Sequence, residues 1–229
     1  MSKRTEYIPR LGVRADKKAI SQGNLNKRAD KKLDIVVQHY QRAIGKCIDD
    51  ISSIFFKKTI YLKDLRYLDE MELSYRIEDR FFARSYNLYY RTTVEDLSKD
   101  APEADCSFGV KLKGGMRIQD AQIICKEGIY ESDEMQGYLT RLNIPLIIDR
   151  IVVLDITEFE INYKVSSGEW DIKFGGLIGS TTWNFIPPMM QLIKPRDDEC
   201  VKVIEIFELV IDALINRNSF EVDSIECLS

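Results

Sequence analysis

A chain of 229 residues with 45% apolar side chains is long enough to bury one substantial core, so neither a disordered polypeptide nor a small stapled scaffold is expected. The net charge of −4 conceals two opposed parts: residues 1–32 carry +7 and residues 33–229 carry −11. One histidine, His39, and five scattered cysteines (Cys47, Cys106, Cys125, Cys200, Cys227) without a CxxC pair exclude a Cys/His zinc pattern.

The cysteines read as buried thiols in a reducing compartment. Met1–Glu6 carries no apolar stretch after its basic residues, so no secretory signal is expected, and Ser2 excludes N-myristoylation. The longest apolar runs, Ile144–Ile148 and Ile151–Leu154, are too short to span a bilayer. These features together predict a soluble cytoplasmic protein.

In chain order, residues 1–30 show neither helical nor strand periodicity and read as a flexible basic arm. Residues 31–57 read as the first helix, because Leu33, Val37, Tyr40, Ile44, Cys47, Ile51 and Ile54 recur at steps of four and three. Gly45 inside that run costs about 1 kcal/mol against Ala and implies close packing. Residues 60–70 fit a short helix or turn. Met71–Ile77 alternates as a strand, Phe82–Thr92 as its partner, and 94–105 as a loop. Phe108–Leu112 and Met116–Cys125 around Gly114-Gly115 form a second hairpin, followed by a short helix capped by Ser132 and ended by Asn143 and Pro145. Leu146–Ile156, apolar and β-branched, predicts a central strand buried on both faces.

The clearest hairpin is Glu158–Phe174: Phe159, Ile161, Tyr163 and Val165 alternate with polar residues, Ser166-Ser167-Gly168 turns, and Trp170, Ile172 and Phe174 return. A glycine-rich stretch, Gly175–Thr182, leads into a strand-like Thr181–Ile186 stopped by Pro187-Pro188. The last helix, 197–216, is apolar around most of its girth and opens on Asp197, Asp198 and Glu199. The expected fold is α+β: one antiparallel sheet of six to eight strands with the N-terminal and C-terminal helices packed on it, residues 31–217 as one domain, and 218–229 as an acidic tail.

Five features bear on function. The basic arm carries Lys3, Arg4, Arg10, Arg14, Lys17, Lys18, Lys27, Arg28, Lys31 and Lys32, a distribution suited to nucleic-acid phosphates or an acidic protein surface. No large apolar residues cluster beside those charges, so no membrane role is expected. The last helix leaves Ile206, Leu209 and Val210 for a further surface, which predicts an oligomer or protein partner. The belt between Tyr61 and Arg91 interleaves tyrosines with arginines; stacking of unpaired bases competes there with a Tyr-lined sheet whose Arg side chains pair with Glu72, Glu78 and Asp79. Gly175–Thr182 lacks both the lysine and the following helix that a phosphate loop needs, and reads better as a bulge or tight crossing. Asp155, Asp171 and Lys173 resemble the carboxylate/lysine set of metal-dependent nucleases of the PD-(D/E)xK type. That resemblance implies Mg²⁺ held by the two aspartates and a water positioned by the lysine. The expected function is a non-enzymatic binding or assembly protein without cofactor, with the Mg²⁺-dependent nuclease as the alternative.

Overall fold

The chain segments that alternate with period two all become strands of a single sheet. A computed structural model describes residues 13–96, 101–114, 118–127 and 133–216. The strands are β1 (Ile48–Ile54), β2 (Lys57–Leu62), β3 (Glu70–Asp79), β4 (Ala83–Glu95), β5 (Cys106–Gly114), β6 (Ile118–Glu127), β7 (Ile156–Lys164), β8 (Glu169–Phe185) and β9 (Pro188–Leu192). All pairings are antiparallel, in the order β1-β2-β3-β4-β8-β7-β5-β6, with β9 on the far part of β8. Nine strands form the sheet, one more than the upper expectation, because Pro187-Pro188 turns the chain into β9 instead of ending the sheet there.

Among the described residues four α-helices, α1 (Val13–Ile44), α2 (Asp133–Leu142), α3 (Pro145–Val153) and α4 (Asp197–Ile215), pack with the inward side chains of the strands in one core, so the fold is α+β. The Phe207 ring of α4 lies 4.7 Å from that of Phe174 at a tilt of 40°, and Phe174 lies 5.9 Å from Phe159 and 5.2 Å from Tyr90; Tyr138 of α2 meets Trp170 at 5.4 Å. The inward residues of β7 and β8, Phe159, Ile161, Trp170, Ile172 and Phe174, are all buried, as their alternation requires.

Three expectations fail for identifiable reasons. First, the helix expected over 31–57 is α1, which spans 13–44. Its buried stripe of Ala29, Leu33, Val36, Tyr40 and Ile44 begins inside the segment read as an aperiodic arm, where Ala29 is too small to register. Gly45 ends the helix in a single 3₁₀ turn, and β-branched Ile48, Ile51, Ile54, Thr59 and Ile60 then build β1 and β2. Second, residues 60–62 belong to β2 and not to a short helix. Third, Leu146–Ile156 holds no strand before Ile156: Pro145 opens α3, a helix start signal that outweighs β-branching in so short an apolar run. Asp155 (φ 47°) closes it in the left-handed region, which Asp tolerates better than most residues. Gly115, Met116, Ser132, Cys227 and the tail 218–229 lie outside the described residues.

Candidate functional site

The nuclease-like residues do not converge. Asp155 precedes β7, and Ile156 pairs with Gly176. Asp171 sits five positions back along β8, about 16 Å away at the strand rise. Two carboxylates sharing one cation must lie within a few ångströms of each other. Asp171 is already engaged by Arg91, whose Nε and Nη2 donate at 2.6 and 3.2 Å, and the Lys173 ammonium sits 4.7 Å from the ring centre of Tyr89. No group of three metal-ligating side chains occurs among the described residues.

The glycine stretch is a bulge in the pairing of β4 with β8. Tyr86 faces Thr181 and Leu88 faces Gly176, so four residues of β8 stand against Asn87 alone. Gly176 is required by close approach, because a Cβ there would lie 2.8 Å from the Asp155 carbonyl oxygen. Gly179 has φ 80°. Gly179 and Ser180, the polar part of the bulge, spend their hydrogen bonds within the fold. Gly179 N–H donates to Ile193 O (2.8 Å), Leu88 N–H to Ser180 Oγ (2.9 Å), Ser180 Oγ to Gly176 O (2.8 Å), and Tyr75 OH to Gly179 O (2.8 Å). A phosphate cradle needs such donors free.

On the sheet face opposite the helices, charged side chains are paired with one another. Tyr89 OH donates to Glu158 (2.8 Å) beneath Lys173, and burial with that carboxylate pushes the phenol up to about 12. Lys57 meets Glu72 at 2.6 Å and Lys126 meets Glu160 at 3.5 Å. In the aromatic belt, Tyr75, Tyr86 and Tyr90 point into the core, Arg84 pairs with Asp79, and Arg80 pairs with Glu78. His39 shares a 2.9 Å hydrogen bond with Arg42, and partial burial followed by the Arg42 charge lowers its pKa.

Ile206 and Val210 are fully buried among the chain's own helices and sheet, and Leu209 is partly buried against the same core. The surface that α4 needs is therefore supplied by α1, α2, α3 and the sheet. Packing of this kind is invisible in a helical wheel, which counts apolar positions without saying what meets them.

Seven of the ten basic residues of the N-terminal segment lie on α1. Lys27, Arg28 and Lys31 are exposed on it, away from the buried stripe, and form no ion pair among the described residues; Lys32 is half-buried. Arg14, Lys17 and Lys18 lie in its first turns; Lys3, Arg4 and Arg10 lie outside the described residues. The helix itself is anchored. Asn26 accepts from Tyr86 OH (2.9 Å), and Asp30 accepts from Phe56 N–H (2.9 Å). Lys58, only 3% exposed, lies 3.3 Å from Asp30 and 2.8 Å from Asp34.

No described helix is long and apolar enough to cross a membrane. No curated protein and no solved structure matches the chain. A family match covers residues 58–214, which takes in the sheet from β2 onward and nearly all of α4 but leaves out α1 and β1. Since that is more than half of its length, the chain belongs to the family described as Protein of unknown function (DUF3156).

Proposed function

We propose that this is a non-enzymatic binding or assembly protein whose basic N-terminal helix meets an anionic partner; the sequence names nucleic acid or an acidic protein surface as partners of that charge. The observation that carries the reading is the contrast in pairing. Many cations of the body, such as Lys57, Lys58, Arg84, Arg91, Lys126 and Arg150, are matched to carboxylates, and exposed ones without an ion pair among the described residues, Lys46, Lys111, Lys164 and Lys194, are scattered over separate elements, while Lys27, Arg28 and Lys31 stand together, unmatched, on one helix face. Exposed, unmatched cations on a fixed scaffold have no internal ion pair to break, and they displace the counterions of the phosphates they meet. Four described thiols, all buried and free, suit the reducing cytoplasm. The nuclease alternative requires Asp155 and Asp171 to share Mg²⁺, and they stand about 16 Å apart along the sheet.

The test is fluorescence anisotropy with labelled single-stranded RNA, duplex DNA and polyglutamate, on the wild type and on the variant K27E/R28E/K31E. Binding that weakens with salt, and a salt slope on duplex DNA flattened by roughly 0.9 for each phosphate that the variant no longer neutralises, supports the reading. Binding unaffected by the three substitutions, or Mg²⁺-dependent cleavage lost in D171A, contradicts it.

A further inference from the structure

Hairpin turns two residues long normally hold Asn, Gly, Asp or Ser, which suit the backbone and face water. Two adjacent turns at one end of this sheet hold large apolar residues instead. In the β3–β4 turn Arg80 and Ala83 exchange backbone hydrogen bonds (2.8 and 3.4 Å) around Phe81-Phe82, which are 90% and 65% exposed. In the β8–β9 turn Phe185 pairs with Pro188 around Ile186-Pro187, and Ile186 is 81% exposed, with Phe185 and Met189 exposed beside it. The two tips are level and joined, since Phe185 N–H donates to Phe82 O at 3.0 Å and Ala83 pairs with Asn184. None of these side chains contributes to the buried core.

The basic helix arrives at the same end. Asn26 of α1 touches Tyr86, three residues from the start of β4, while Tyr40 lies beside Tyr90, so α1 runs along β4 with its N-terminus toward the tips. From Asn26 back to Val13 the helix extends about 19 Å, whereas Tyr86 to Ala83 spans only about 10 Å. Between its two anchors about 21 Å of helix advances about 13 Å along β4, so the turns carrying Arg14, Lys17 and Lys18 extend past Tyr86 toward the end of the sheet that holds the tips. The acids of the β3–β4 tip are neutralised: Asp79 by Arg84 (2.9 Å from Nη2) and Glu78 by Arg80 (3.5 Å).

We propose that this end of the molecule docks on an anionic lipid surface, the two tips entering the headgroup region and the basic helix meeting the lipid charge. The inference rests on the reading of α1 as an anion-binding helix and names its partner. Two narrow protruding tips need a shaped pocket each on a protein, but a bilayer interface accepts any outline. Phosphate-bearing headgroups complement Lys27, Arg28 and Lys31, which have no ion pair among the described residues. Such an association is peripheral and requires no spanning helix.

Co-sedimentation with vesicles of phosphatidylcholine alone, and of phosphatidylcholine mixed with phosphatidylglycerol, tests it on the full chain. The wild type is expected to bind the mixed vesicles and to be released by salt. F81S/F82S/I186S should lose about tenfold or more in partitioning with its melting temperature unchanged. R14Q/K17Q/K18Q should lose on the order of a hundredfold. Equal binding to neutral and anionic vesicles, or full binding by the tip variant, overturns the proposal. So does a tip variant whose only change is from oligomer to monomer, which would assign the tips to a second copy of the chain. Absence of vesicle binding alongside K27E/R28E/K31E-sensitive binding of RNA or polyglutamate removes the lipid and leaves the anion-binding helix. If those three substitutions change no interaction with any anionic probe, the helix reading itself falls.

Discussion

The two ends of the sheet treat their turns in opposite ways. At one end, the 63–69 connection between β2 and β3 is drawn into the fold: Glu208 accepts the backbone N–H groups of Arg66 (3.2 Å), Tyr67 (3.0 Å) and Leu68 (2.7 Å), and Tyr67 OH donates to Asp212 (2.6 Å). The β7–β8 turn at that end is Val165-Ser166-Ser167-Gly168, with Gly168 at φ 68° and its carbonyl accepting Asp96 N–H at 2.8 Å. At the other end three turns of two residues carry Phe55-Phe56, Phe81-Phe82 and Ile186-Pro187. Of these only Phe56 is used by the fold. It sits at φ 60°, strained for a bulky residue, and is held by Asp30 and by the rings of Tyr75 and Tyr86 at 6.3 and 5.9 Å. Phe81 and Ile186 gain the fold nothing by being apolar, whereas the side chains of the far end are largely spent on stability.

The largest effect that separates the ends comes from α1. Deleting residues 1–30 removes Asn26 from Tyr86, Asp30 from Phe56 and Lys58, and the buried Ala29. Asp34 still holds Lys58 at 2.8 Å, so the cost is that of the two lost hydrogen bonds, the weaker of two ion-pair contacts and the buried Ala29, together about 3–5 kcal/mol. Urea unfolding should show that loss, with β1 and β2 the first to exchange their amides. An unchanged midpoint would return the segment to the dispensable arm that its composition suggests.

A smaller effect is expected at the far end. Burial raises the Glu208 carboxyl above the ordinary glutamate value, against the three backbone donors and Arg66 that lower it. A raised carboxyl contributes stability in its protonated form; that contribution is complete below the unfolded-state value and is lost as pH rises through the folded one. Glu208→Gln should therefore cost about 1–3 kcal/mol at low pH, where the protonated wild type is at its best. The gap should narrow as pH climbs from the ordinary glutamate range to the raised value, then stay constant. Thermal melts across that range, read as wild type minus variant, check both sign and window; a gap that widens with pH contradicts the assignment.

The smallest expected stability effect is at the tips. F81S/F82N replaces two exposed rings and should shift stability by no more than about 0.5 kcal/mol either way. A loss of several kcal/mol on calorimetry would mean that the rings hold the hairpin and are not presented to a partner.

Much of this architecture was legible in the chain, because strict alternation in Glu158–Phe174 and Met71–Ile77 has one physical solution, a half-buried antiparallel strand. Two helices were less so. Leu146–Leu154 is apolar in both readings, and only Pro145 distinguishes helix from strand. Ahead of Leu33 the described part of α1 offers the sequence only one buried apolar position, the small Ala29, and an exposed Gly23. The candidate site was illegible for another reason. Phe81-Phe82 and Ile186-Pro187 are about a hundred residues apart, and the register of β4 with β8 brings them level. No large apolar residues cluster beside the basic charges in sequence, since the hairpins supply them in space. The one signal available locally was a Phe-Phe pair where a turn residue belongs, Arg80-Phe81-Phe82-Ala83 between two alternating runs.

The most direct test of the contrast between ends is amide hydrogen exchange of the full chain with and without anionic vesicles. Docking through the tips predicts added protection at 80–84 and 184–189 and in the first turns of α1, with 63–69 and 165–168 unchanged. Protection confined to the 63–69 and 165–168 turns, or spread evenly over both ends, would contradict it.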